Sequence, residues 1–425
     1  MRTLIKNALI LPMTERNLSF VGDLSIKDGI IESINNAHGE YDETIDASGK
    51  IVMPSFINGH THLAMVLMRN YKDTCSNLME WLSQIWPIED KLVAKDIYYA
   101  SKLGAIELVK SGCTVLSDMY FQAENTVKAL KEVGIRGIIG QTFFGDEDET
   151  RRRISERAPL IDEAISDDDR YRVDAAVHSI YTCTAGTYQI AKEWIDKRGG
   201  YMNTHLAETE GEVLDSIKNF GKKPARYLKD LGILDSKAYL AHGVWHDNEE
   251  LQIIKDAGAS IIHNPASNCK LASGIANVSK YRKMGIKVAL GTDGASSNNN
   301  LNMLKEMNLA SMISTVSNMD PGAMTPYDII SMATKEGAEA LGLGDRIGTI
   351  ECSKEADLLI LDMERINTTP QNDPFSAIVF SADKSNVDTV FCKGRKILEN
   401  GELIGIDEKE VMAKTKKQWE DILIR

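Results

Sequence analysis

Apolar and polar positions follow three successive patterns along the chain. Over residues 1–53 the runs LIKNALIL, DLSIKDGIIESI and TIDASGKIVM are short and broken by Asp-Gly, Asn-Asn and Ser-Gly. That pattern predicts β-strands joined by tight turns. From about residue 54, strand-like apolar runs (TVLSDMY, GIRGIIGQTFF, YRVDAAVHSIYT, YMNTHLAE, KAYLAHGV, ASIIHNP and IKVALGTDG) alternate with longer segments. Segments such as AKDIYYASKLGAIELVKSG and GEVLDSIKNFGKKPARYLKDLG carry apolar residues at helical spacing. Repeated strand–helix units predict a parallel sheet with helices outside, and their number suits a closed TIM-like (β/α)8 barrel over residues 54–345. Near residue 346 the pattern returns to β with RIGTIECSKEADLLILDM, AIVFSA and VDTVFCKGRKILENGELI. The final KEVMAKTKKQWEDILIR reads as an amphipathic helix. The expected architecture is therefore α/β. Residues 1–53 and 346–425 would pair into one small β-sandwich beside the barrel, because chain termini often lie close together.

Composition narrows the functions this architecture can serve. A chain of 425 residues, 43% hydrophobic and 26% charged, buries enough surface to fold without disulfides or a structural metal. Any metal site is then free to be catalytic. A net charge of -13 disfavours nucleic-acid polymers and leaves a small neutral or zwitterionic partner. The six cysteines lie far apart with no C-x-x-C pair, as expected for reduced thiols. The first twenty residues lack a signal-peptide cleavage region, and no apolar run is long enough to span a bilayer. A cytoplasmic protein without membrane association is expected.

The candidate chemistry rests on histidine. Only eight occur, most of them at the ends of predicted barrel strands, where barrel enzymes place catalytic groups. His60 and His62 alternate in PSFINGHTHLAM and so can face one point. His205 ends YMNTHLAE, His242 ends KAYLAHGV and Asp293 ends IKVALGTDG. Imidazoles with a carboxylate form a good N/O set for zinc with a position left for water, although a lone His-x-His is weak evidence. Glu208, three residues after His205, is placed to take a proton from water and deliver it to a ring nitrogen. Glu210 and Glu212 read instead as an acidic first helical turn. His178, in DAAVHSIYT, is as well explained by a structural role as by a site role.

The residues PSFINGHTHLAM, WLSQIWPIED, HLAETEGEV, AHGVW, HNPASNCKLASG and GTDGASSNNNLNM resemble the amidohydrolase superfamily. Within it they look like the 5′-methylthioadenosine/S-adenosylhomocysteine deaminase branch, and the resemblance extends through EADLLILDM and VDTVFCKGRKILENG. It implies His60, His62, His205 and Asp293 as metal ligands. Glu208, His242 and Asp293 would move protons. Glu89, in IWPIEDKL, would accept the ribose hydroxyls, and His178 and Arg153 would bind substrate beside Glu208 and Asp293. Two-metal members carry a bridging lysine in the strand before His178. None stands there, so one zinc per subunit is implied, with iron or manganese as alternatives.

Arg151, Arg152 and Arg153 all stand where an arginine is expected, and spacing favours Arg153. Where some members place a further arginine, this chain has Gln141. The implied reaction is hydrolytic deamination of adenosine-type nucleosides to inosine-type products and ammonia. The alternatives are a guanine or cytosine deaminase, a triazine chlorohydrolase, or a non-catalytic scaffold. A homo-oligomer is expected. The remaining conspicuous residues have plainer readings. Trp81 and Trp86 could wall a nucleobase or 5′-substituent pocket, though helix packing is the commoner use. Asn264, Ser267 and Asn268 shape a loop near the site, and Asn298, Asn299 and Asn300 could cap the helix that follows.

Overall fold

The computed structural model describes residues 1–425. Eight parallel strands follow one another in sequence order: β1 (Phe56–Thr61), β2 (Cys113–Asp118), β3 (Arg136–Phe143), β4 (Tyr171–Val177), β5 (Met202–Leu206), β6 (Ala238–His242), β7 (Ser260–His263) and β8 (Val288–Leu290). Every residue of β1, β2 and β3 is buried, as a strand covered on both faces requires. The helices that bear on the site are α1 (Leu78–Glu89), α2 (Ala94–Val109), α3 (Glu147–Ile165), α4 (Glu210–Phe220), α5 (Pro265–Lys270), α6 (Met303–Asn318) and α7 (Glu408–Ile424). Their starts are written locally. Asp146 and Thr209 cap α3 and α4 by accepting the N–H of the third helical residue. The expected terminal helix is α7, which packs against α2, and Arg425 reaches back to Asp96.

Both ends of the chain build a separate nine-stranded mixed sheet. The strand Lys50–Pro54 and the strand Leu358–Asp362 meet antiparallel, with Val52 opposite Ile360. Apolar residues from both ends, among them Ile5, Leu24, Val52, Leu358 and Phe391, share one buried cluster. The chain leaves this sheet at Pro54 and enters the barrel at Phe56. A buried ion pair ties the two parts together: the guanidinium of Arg136, at the start of β3, donates to both oxygens of Asp357 at 2.7 and 2.8 Å.

The sheet closes into a barrel at β1 and β8 through polar side chains in place of a backbone ladder. Asn58 donates to the Thr292 hydroxyl at 2.7 Å and accepts the Thr292 N–H at 3.0 Å. The Asp293 N–H then donates to the His60 carbonyl at 3.0 Å, and the Thr61 hydroxyl to the Asp293 carbonyl at 2.9 Å. Gly291 permits this approach, since a Cβ there would lie 2.9–3.0 Å from the backbone of His60. The seam brings the ends of the first and last strands together.

Removing the seam amide strands the buried Thr292 N–H. Asn58→Ala is expected to destabilise the fold by about 1–3 kcal/mol, read as a lower urea midpoint at unchanged slope.

Candidate active site

The C-terminal ends of β1, β5 and β8 converge on one buried point. A nitrogen from each of His60, His62 and His205 and a carboxylate oxygen of Asp293 all lie within 4.8 Å of one another. The His62 Nδ1–H donates to the Met119 carbonyl at 2.6 Å and the His205 Nδ1–H to the His178 carbonyl at 2.7 Å. Each bond commits one ring nitrogen, so the two Nε2 atoms present lone pairs to each other 3.2 Å apart. His60 is fully buried with neither nitrogen hydrogen-bonded, and its Nε2 faces Asp293 Oδ1 at 3.6 Å. Orphaned nitrogens, facing lone pairs and a carboxylate make an unfavourable cluster unless a cation sits among them.

Electrostatics agree. Burial holds His60 down to about 4, so its imidazole is neutral, as a ligand must be. Burial pulls His62 the same way, but the Asp293 carboxylate 3.2 Å away overrides it and raises the ring to about 9. That field would put a proton on Nε2 of His62, and a cation bound there takes the place of that proton and leaves the lone pair free to ligate. The other oxygen of Asp293 accepts from the hydroxyls of Ser267 at 2.6 Å and Ser297 at 2.8 Å, which orient the carboxylate. His60, His62, His205 and Asp293 form a metal-binding site.

The residues expected to act beside the metal surround this point. Glu208 is buried, receives the Ser273 hydroxyl at 3.1 Å and stands 3.8 Å from His242 Nε2. Burial raises the Glu208 carboxyl above its ordinary range, which suits a group that must hold and release a proton. The other nitrogen of His242 bonds Asn268 at 2.8 Å. Across the same cavity, Glu89 closes α1, and the Tyr120 hydroxyl donates to it at 2.7 Å. Burial raises the Glu89 carboxyl as well. His178 stacks on Phe144 at 4.4 Å, bonds the Thr182 hydroxyl at 2.8 Å, and is held down to about 3 by burial. Its imidazole is therefore a neutral lining group of the cavity. Three turning points of this rim are left-handed at non-glycine residues: Ala207 (φ 50°), His242 (φ 72°) and Asp293 (φ 57°). Each costs about 1–3 kcal/mol and persists because its surroundings over-determine it.

Arg153 lies on α3, half-buried over Phe121 and Phe144, with its Nε donating to Glu149 at 2.6 Å. With Arg152 and Gln141 it lines a chamber adjoining the main cavity, and the two share Glu89, Tyr120, Phe121 and Thr142. Arg151 is exposed and lines neither. Packing decides several readings the sequence left open. Trp81 and Trp86 serve both expected uses: they pack with the main hydrophobic core and wall the cavity that α1 lines. Ser267 and Asn268 belong to helix α5 and bond Asp293 and His242 directly. Helix α6 is capped by Asn302, not by the Asn298–Asn300 run, whose first member instead bonds the buried Glu306. Glu212 opens α4 as expected, yet it is buried and accepts the N–H groups of Ala207 and Glu208. Tyr120, Ser273 and Phe144 escaped the sequence reading, as each contacts partners far away in the chain. Ser297 alone had a local signal, four residues after Asp293.

The amidohydrolase family model matches residues 51–397. The chain belongs to the amidohydrolase family. It is 40% identical over 427 residues to a protein of Methanobrevibacter smithii named 5'-deoxyadenosine deaminase, covering 99% of this chain and 98% of that one. A protein of Syntrophomonas wolfei named 5-methylthioadenosine/S-adenosylhomocysteine deaminase is 38% identical over 425 residues, 98% of each chain. Among solved structures, an adenosine deaminase from Xanthomonas campestris with bound zinc superposes with a TM-score of 0.95 at 28% identity, covering 100% of this chain and 99% of that one.

Ser267→Ala removes one of the two hydroxyls that orient the Asp293 carboxylate. Metal affinity is expected to fall roughly 10–100-fold, measured by competition with a chromogenic chelator, while Asp293→Ala loses the metal outright.

Proposed function

We propose that this chain is a zinc-dependent aminohydrolase converting adenosine-type nucleosides to inosine-type products and ammonia. The substrates are 5′-methylthioadenosine, S-adenosylhomocysteine, 5′-deoxyadenosine or adenosine itself. The observation that carries the reading is one cavity lined by two carboxyls, the buried Glu208 and the half-buried Glu89. Glu208 stands beside the ligand cluster, and Glu89 faces it from α1. The first suits proton transfer at a ring, and the second suits a vicinal diol, since one carboxylate accepts both hydroxyl protons. The names of the full-length relatives agree. Zinc is favoured by three imidazoles and one carboxylate, and the similar Xanthomonas campestris structure holds it.

A cation held by His60, His62, His205 and Asp293 supplies Lewis acidity and makes water a stronger acid. The residues of the chain do the rest. Glu208 takes a proton from the water that adds to C6 and passes it to N1, which makes C6 more electrophilic. Nε2 of His242 steadies the adding oxygen. Asp293 then receives the remaining hydroxyl proton and hands it to the departing amino group. Ammonia leaves, and a carbonyl remains at C6 with a proton on N1. The neutral His178 and the Tyr120–Glu89 pair hold base and ribose, and Trp81 and Trp86 exclude water. Arg153 faces the chamber that would receive the 5′-substituent. Self-association is part of this reading, since closed barrels with exposed outer helices commonly associate.

The deciding experiment is ammonia release from 5′-methylthioadenosine, S-adenosylhomocysteine, adenosine, 5′-deoxyadenosine, guanine and cytosine with metal-loaded protein. Turnover of the nucleosides and not the bases is expected, and activity confined to bases would refute the substrate. Glu208→Gln is expected to lower kcat by about a hundredfold or more with metal retained. Glu89→Gln should chiefly raise KM for ribosides, since the diol contact is made before and during the reaction.

A further inference from the structure

The position of Glu208 is set mostly by backbone. Strand β5 ends at Leu206, and α4 begins at Glu210 behind its Thr209 cap. Only Ala207, Glu208 and Thr209 lie between, and Ala207 turns the chain sharply with φ 50° while fully buried. The Ala207 carbonyl accepts the N–H groups of Val244 at 3.0 Å and Trp245 at 2.9 Å, which ties the turn to the segment just past His242. The Glu208 carboxyl itself has one hydrogen bond, from the Ser273 hydroxyl at 3.1 Å. What remains is the amide side of the turn.

Glu212 holds that side. A glutamate at the third helical position ordinarily folds back onto the N–H of the capping residue. Here it reaches further. One oxygen accepts the Ala207 N–H at 2.9 Å and the other the Glu208 N–H at 2.8 Å, while the Glu212 N–H donates to the Thr209 hydroxyl at 3.1 Å. Glu212 is only 5% exposed and does not line the cavity. Two buried donors aimed at one side chain call for two acceptors and no donor, which among the residue types is a carboxylate. An amide of the same shape would turn its NH2 against one of the two N–H groups.

Resting on the reading of Glu208 as proton carrier, we propose that Glu212 is its positioning residue. By clasping the Ala207 and Glu208 amides it holds the left-handed turn, and so sets the Glu208 carboxyl against His242 and the ligand cluster. It touches no substrate and works only through Glu208.

A double-mutant cycle tests this. Glu208→Gln, Glu212→Gln and the double variant are compared with the wild type on 5′-methylthioadenosine and 5′-deoxyadenosine, with metal content per chain measured for each. Glu212→Gln is expected to lower kcat about 10–100-fold, as misplacement of a catalytic group by about 1 Å does, with KM within about threefold and metal retained. In the double variant the losses should not multiply. It should turn over within about threefold of Glu208→Gln alone, because the group that Glu212 positions is already disabled.

Multiplying losses, normal kcat in Glu212→Gln, or a loss that merely tracks missing metal would each overturn the proposal while leaving the deaminase reading intact. Wild-type turnover by Glu208→Gln would overturn the reading and the proposal together. If Glu212→Gln yields no folded protein, Glu212→Asp carries the same cycle. It keeps both oxygens but withdraws them by one methylene, and the same outcomes decide.

Discussion

Most of this site follows from one electrostatic constraint. Two buried imidazoles, the partly buried His62 and a buried carboxylate direct their nitrogens and oxygens at a common point. Buried acceptors without donors are costly, so the arrangement is sustained by whatever satisfies them, and a cation satisfies all four at once. The fold meets that constraint geometrically. The polar seam between β1 and β8 brings Asp293 to His60 and His62, and β5 supplies His205. A surrounding set of weaker bonds then removes the remaining freedom. Carbonyls of Met119 and His178 fix two rings, and two serine hydroxyls fix the carboxylate.

The reactive geometry is built on strained backbone held by good contacts. Ala207, His242 and Asp293 all adopt left-handed conformations, and each turns the chain where a strand gives way to a loop. Such turns let side chains leave the strand direction and point into the cavity. The strain is tolerated because neighbouring groups hold both sides of each turn, the Glu212 carboxylate being one example. The same burial that makes the turns rigid also tunes the chemistry. It raises Glu208 and Glu89 and keeps His60 and His178 neutral, so one low-dielectric pocket contains carboxyls that hold their protons more readily and uncharged imidazoles side by side.

How much was legible in the sequence depends on whether a signal was local. The alternation of strand and helix patterns marked seven of the eight barrel strands and the terminal helix, because periodicity records which face of an element is buried, while β1 was read only from His60 and His62 in PSFINGHTHLAM. The pool of candidate ligands was legible because these residues close apolar runs, as His205 does in YMNTHLAE, but His178 and His242 do so too, and only the family resemblance separated ligands from neighbours. Glu212 was legible only as a first-turn carboxylate, for the opposite reason. Its place in the first turn of α4 accounts for an acidic residue there, and nothing in the neighbouring letters says that its side chain turns inward. For Trp81 and Trp86 two uses stayed open, since a tryptophan on an amphipathic helix looks the same whether it faces a core or a cavity, and here both residues do each. The asparagine run at 298–300 suggested a cap, yet the chain continues to Asn302 before α6 begins.

The sequence by itself therefore determined the layered architecture and the pool of candidate ligands, since these rest on patterns that repeat along the chain or on residue types with few alternative uses, while the ligand set and the chemistry were read from its resemblance to a family. Tertiary structure alone decided which partners meet across it. Tyr120 reaches Glu89, Ser273 reaches Glu208, Asn268 reaches His242, and Asn58 closes the barrel on Thr292. These pairs lie between 26 and 234 positions apart. Hydrogen bonds are short and directional, and so depend on where the closed barrel places each strand end, which no local run of residues encodes.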